Sequence, residues 1–206
     1  MPRIIDHDER KLALARIAAK IIAEEGWRAA TIQRIGRSMD CSTKVVTHYF
    51  PDKKALMLMA FKLLAEDTQT RFEATCSIPG RTTLECIASL LPIDERSERL
   101  WRVSLAYWEF VSEHGRDFSE EIYEIETAQN LVEELFRNDG IEGDLPRLAR
   151  LAINSVHGIG IQAIMNPTFW TKEQQIADLN AQITALLRVE SRDDHTIFPS
   201  SDLSRA

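Results

Sequence analysis

The stretches Thr31-Ile32-Gln33-Arg34-Ile35 and Ser42-Thr43-Lys44-Val45-Val46-Thr47-His48-Tyr49-Phe50-Pro51-Asp52-Lys53-Lys54-Ala55-Leu56 decide how this chain folds. Thr31, Ser42 and Asp52 each carry a short oxygen-bearing side chain able to cap the first free N–H groups of a helix. After Thr31, the residues Ile32, Ile35, Gly36 and Met39 share one stripe at helical spacing, and that helix stops near Asp40-Cys41. Ser42 then opens a short helix through Phe50, which Pro51-Asp52 breaks, and Asp52 opens another. Two short helices joined by a turn of about four residues suit a helix-turn-helix.

Toward the N-terminus, Leu14, Ile17, Ala18, Ile21 and Ile22 form one apolar face of a first helix over about Asp8 to Glu25, closed by Gly26. Toward the C-terminus, Leu56, Met59, Ala60, Leu63 and Leu64 line one face of a fourth helix reaching about Ala74. Ser77-Ile78-Pro79-Gly80 is a turn, and Thr82-Thr83-Leu84-Glu85 has the form of a capping box opening a fifth helix. A sixth helix is expected from about Glu95 to Glu113, and a seventh, capped within Asp117-Phe118-Ser119-Glu120, reaching Asn138. An eighth is expected from about Leu145 to Met165, and a ninth, opened by Thr171-Lys172-Glu173-Gln174, to about Val189. No segment alternates as strands do, so the fold class is all-α: nine helices, with a helix-turn-helix trihelix ahead of a helical bundle. The expected domains are 1–55 for DNA binding and 56–190 for ligand binding and dimerisation, with 191–206 a polar, aperiodic tail.

A recognition helix must be short, supported from behind, and free at its leading turn to reach base edges while neighbours hold phosphates. Val46 is placed to pack backward on Ile35 and Met39. The DNA-facing candidates are Thr31, Gln33, Ser42, Thr43, Lys44, Val45, Thr47, His48, Tyr49 and Lys53. Lys53, at the start of the fourth helix, is the expected phosphate grip, aided by the backbone N–H groups there. The quoted stretches resemble the DNA-binding signature of the TetR family of repressors, and the helix ending at Gly26 fits it as well. The resemblance implies a homodimer, one small-molecule pocket per C-terminal domain, and a near-palindromic double-stranded operator. This chain departs from the family pattern in three places: Asp40 stands at the usual turn glycine, Gly36 at the usual alanine, and Thr47 at the usual tyrosine.

The aromatic residues Trp101, Tyr107, Trp108, Phe110 and Trp170 admit two readings: packing of the bundle core, or walls of a pocket between helices for an apolar or cationic ligand. Tryptophan faces attract quaternary ammonium groups, and Glu109 could supply a counter-charge. The ligand candidates are therefore Trp101, Tyr107, Trp108, Glu109 and Trp170. The segment from Leu100 to Leu187 resembles the BetI-like branch of the same family, which implies a choline-type effector. Ile153, Val156, His157, Gly160, Ile164, Ile183 and Leu187 are the expected dimer seam, with Gly158 and Gly160 permitting close helix approach; the alternative is that they pack within one subunit. His157 reads first as a core histidine of that seam.

Charge divides the chain. The formal net charge is −7, but Met1 to Ala55 carries a balance of +4 and the remainder −11, so only the N-terminal part is suited to a polyanion. Cys41, Cys76 and Cys86 are too few and too irregular for a disulfide framework, and no Cys/His set has metal-ligand spacing. No cofactor or metal is expected. The first residues lack the apolar core of a secretory signal and no apolar run approaches membrane-spanning length, so a cytoplasmic protein with no membrane partner is expected. The five histidines, the hydroxyls and the carboxylates form no recognisable nucleophile or phosphate-loop motif, which sets an enzyme behind a regulator. A ligand-binding dimer without specific DNA binding is the nearer alternative.

Overall fold

The computed structural model describes residues 7–114 and 123–190. Among them are nine α-helices and no strand: α1 (His7–Glu25), α2 (Ile32–Ser38), α3 (Thr43–Tyr49), α4 (Lys53–Cys76), α5 (Thr83–Ala88), α6 (Glu95–His114), α7 (Tyr123–Asn138), α8 (Leu145–Met165) and α9 (Lys172–Glu190). A 3-10 turn, Trp27–Ala29, joins α1 to α2. The expected cap within Asp117-Phe118-Ser119-Glu120 and the tail 191–206 lie outside the described residues.

The predicted caps form where short polar side chains meet free helix N–H groups. Thr31 Oγ1 accepts from Arg34 N–H (3.1 Å), and Asp52 Oδ1 from Ala55 N–H (2.8 Å). Thr82 and Glu85 close a reciprocal capping box around α5. Asp144, expected only as part of a loop, also caps α8, accepting from Arg147 N–H (3.1 Å). Ser42 stands at the N-cap position of α3, but its side chain makes no capping bond.

Two cores organise the helices. The first gathers Leu14, Ala18 and Ile22 of α1, Ile35 of α2, Val46 of α3, Phe50, and Leu56, Ala60, Phe61 and Leu64 of α4. It also takes Val103, Ala106, Tyr107 and Phe110 from α6, so it runs past residue 55 and draws on the body of the chain. The second joins Phe72 of α4, α5, Trp101 of α6, and the facing apolar residues of α7, α8 and α9. α4 and α6 therefore belong to both cores and tie them together.

A candidate DNA-binding surface and a candidate effector cavity

The DNA-facing candidates gather around the tight turn between α2 and α3. Asp40 sits there at φ 47°, in the left-handed region that glycine enters more cheaply. Behind the turn, Gly36 is buried, and a β-carbon on it would lie 2.9 Å from the Cys41 carbonyl oxygen. The small residue lets the chain fold back and set α3 against α2. Val46 is fully buried from behind, with Ile35 and Met39 in the same cluster.

That packing leaves Ser42, Thr43, Lys44, Thr47 and His48 exposed along α3, with Thr31 and Gln33 exposed on the α2 side. Val45 is half-buried. Thr47 turns its hydroxyl back onto its own helix, donating to the carbonyls of Thr43 (3.1 Å) and Lys44 (3.2 Å). Tyr49 is only half on the outer face: its hydroxyl lies 3.1 Å from His7 Nδ1 of α1, and its ring sits edge-on to His48 at 5.2 Å. Lys53 differs most from the free surface grip expected of it. Its ammonium rests 4.6 Å from the Trp27 ring centre and donates to the Arg28 carbonyl at 3.4 Å. Burial, and then the nearby Arg28 charge, push the pKa of that ammonium down. Trp27, Arg28 and His7 were not singled out by the sequence reading, because none falls in a cap, a stripe or a signature position.

In the body, Trp101, Trp108 and His157 meet as three rings set nearly at right angles. Trp101 and Trp108 lie 6.2 Å apart at 89°, Trp108 and His157 5.2 Å apart at 75°, and Trp101 and His157 6.0 Å apart at 81°. Trp101 is fixed at one end by its Nε1–H, which donates to the Leu90 carbonyl at 2.8 Å. At the other end it lies on Gly160, where a β-carbon would come within 2.3 Å of the indole. The rings wall a cavity of about 90 Å³, completed by Gln69, Ser104 and Ile153 among others. Burial alone lowers the pKa of His157, which favours its neutral form. Among the described residues no carboxylate lines the cavity, and the one cationic side chain in its wall, Arg71, is engaged by Asp94 (3.1 Å) and the Ser89 carbonyl (3.0 Å). Arg71 in turn holds the Asp94 carboxyl well below its usual range.

The structure thus brings together Trp101 and Trp108 of the ligand candidates and adds His157. It sends the others elsewhere. Tyr107 is buried edge-on against Phe61, 4.5 Å away, in the first core. Glu109 is half-exposed and paired with Arg28. Trp170 follows α8 and packs on Phe169 at 5.5 Å. The seam candidates also divide. Ile153, Val156 and Ile183 are buried inside the subunit, and Gly160 is covered by Trp101, so these four offer no surface to a partner. Their apolarity serves the second core instead. Ile164 and Leu187 are half-buried, while Gly158, Met165 and Phe169 are exposed on and just beyond α8.

A short buried-backed helix presented beside a capped α2, joined to a helical body with an internal cavity, defines a helix-turn-helix regulator. Residues 15–60 match the model for "Bacterial regulatory proteins, tetR family". Residues 15–60 thus carry a TetR-type helix-turn-helix, and the described residues have the all-helical fold of TetR-type transcriptional regulators. The chain is similar to the HTH-type transcriptional regulator BetI of Rhizobium meliloti, with 26% identity over 91% of this chain and 94% of that protein. It is also similar to the HTH-type transcriptional regulator PksA of Bacillus subtilis, with 23% identity over 84% and 88% of the two chains. Among solved structures, a transcriptional regulator from Rhodococcus sp. Rha1 superposes with a TM-score of 0.76 at 21% identity, over 89% of this chain and 99% of that one. A putative regulator from Saccharomonospora viridis in complex with choline superposes with a TM-score of 0.69 at 21% identity, over 86% and 96%. No described helix is long and apolar enough to cross a membrane, and no cluster of His, Cys, Asp and Glu among the described residues has the makings of a metal site.

Proposed function

We propose that this protein is a cytoplasmic repressor that occupies a near-palindromic operator as a homodimer and leaves it when a small effector enters the cavity. The observation that carries the reading is the exposed face of α3, with Thr43, Lys44 and His48 outward and Val46 buried behind them. In this reading residues 1–55 read DNA. Thr43 and Lys44 reach base edges, while Thr31, Tyr49 and Lys53 hold phosphate. Residues 56–190 bind effector and partner. The partner packs on the outward side of α8 and α9, around Gly158, Ile164, Met165 and Leu187.

The effector is a small apolar or quaternary-ammonium compound. Three convergent rings suit either, since indole faces attract a poorly hydrated cation. A neutral His157 adds no repulsive charge, and choline in the Saccharomonospora viridis regulator is a precedent for that chemistry on this fold. At about 90 Å³ the cavity is smaller than the roughly 150 Å³ one that benzene fills, so its walls must part to admit choline or a compound of similar size. The reading assigns no catalytic role to His157, whose ring serves as a wall. Electrophoretic shift of the DNA upstream of its own coding sequence, with choline and small apolar compounds added in turn, tests the proposal. A shift that one of these compounds reverses is expected. Absence of any shift, in the presence of a folded dimer, supports the ligand-binding dimer without DNA specificity instead.

A further inference from the structure

We infer that Arg28, held by Glu109 and Glu113 of α6, positions the Lys53 ammonium for a phosphate, so that α6 links the cavity to the DNA-facing surface. The inference rests on the proposed role of Lys53 as a phosphate contact. Its basis is a stack of two cations on one indole. Lys53 Nζ lies 4.6 Å and the Arg28 guanidinium carbon 4.7 Å from the Trp27 ring centre. Two like charges this close repel. The repulsion is offset because the Arg28 guanidinium bridges both carboxylates, Glu109 through one nitrogen and Glu113 through the other. Lys53 is then kept, partly stripped of water, on the Arg28 carbonyl at 3.4 Å. An ammonium already confined there loses less freedom on meeting a phosphate than a mobile surface lysine does.

The anchoring residues all come from one stretch of α6. Glu109 and Glu113, one helical turn apart, hold Arg28, and Phe110 meets the Trp27 ring edge-on at 5.1 Å. The residue before Glu109 is Trp108, a wall of the cavity. A shift or rotation of α6 that moves Trp108 therefore moves both carboxylates. Nearby, α6 borders a solvent-open groove of about 430 Å³ between it, α1 and α4, lined by Arg16, Asp67, Leu63, Leu100 and Val103 among others.

The test is a cycle of Glu109→Gln with Glu113→Gln, Lys53→Ala, and all three changes together. Binding to a mixed-sequence duplex is measured by fluorescence anisotropy across a salt series. Removing two negative charges should by itself strengthen DNA binding. The positioning role predicts the opposite: affinity falls several-fold and the salt slope drops by about one when Lys53 is present, with no loss when Lys53 is alanine. Tighter binding by the double glutamine variant, or an equal effect in both backgrounds, overturns the inference and leaves the proposed function intact. A salt slope indifferent to Lys53→Ala overturns the phosphate role, and this inference with it.

Discussion

Gly160 has no room for a methyl group, because the indole of Trp101 occupies the space a β-carbon would take. Gly160→Ala should push Trp101 off its bond to the Leu90 carbonyl and cost about 1–3 kcal/mol, the usual range for overpacking a core. Chemical denaturation and the tryptophan emission maximum check this. His157 supplies a pH dependence. Burial lowers its pKa below the ordinary value of 6.5, so below about pH 6.5 the unfolded chain takes up a proton that the folded one resists. That contribution to stability is complete above this value and is lost as pH falls through the lower folded pKa. The acid-side decline of the melting temperature should flatten in His157→Phe. Neither residue's role was legible in the sequence. A glycine and a histidine amid apolar neighbours fit a dimer seam as well as a cavity wall, and only the arrangement of α6 against α8 separates the two. Asp40 was legible, since a short polar residue can take the left-handed conformation a tight turn demands.

At the scale of elements, caps read well and helix phase read poorly. Thr31, Asp52 and the Thr82–Glu85 box are local devices, complete within four residues, and the structure forms them as the sequence implied. Asp52→Ala should therefore cost about 1 kcal/mol, measured by thermal unfolding, through loss of the bond to Ala55 N–H. α6 was harder because apolar side chains surround it. Tyr107, Trp108 and Glu109 are consecutive, yet one enters the first core, one the cavity, and one the pair with Arg28. Only the packing of neighbouring helices fixes which is which. Lys53 posed a similar problem: its register was evident, but the Trp27–Ala29 turn on which it rests leaves no periodic trace. On α3, replacing Thr43 or Lys44 should change which sequences are recovered from a random DNA library, because their side chains stand free at its leading turn. Unchanged preferences would remove both from base reading.

For the whole molecule, the outward side of α8 is the test of assembly. Gly158 is exposed and a β-carbon on it would touch nothing, so Gly158→Arg should leave each subunit folded. If the partner packs there, the variant sediments as a monomer and loses its operator, since two heads must be joined to span neighbouring half-sites. The uneven charge, +4 over the first 55 residues and −11 over the rest, bears on how fast this protein finds its target. It makes each molecule an electric dipole. Near a duplex the field turns the acidic body away and draws the basic end inward, so collisions arrive already oriented. The rate of capture should then fall steeply as added ions shorten the reach of that torque.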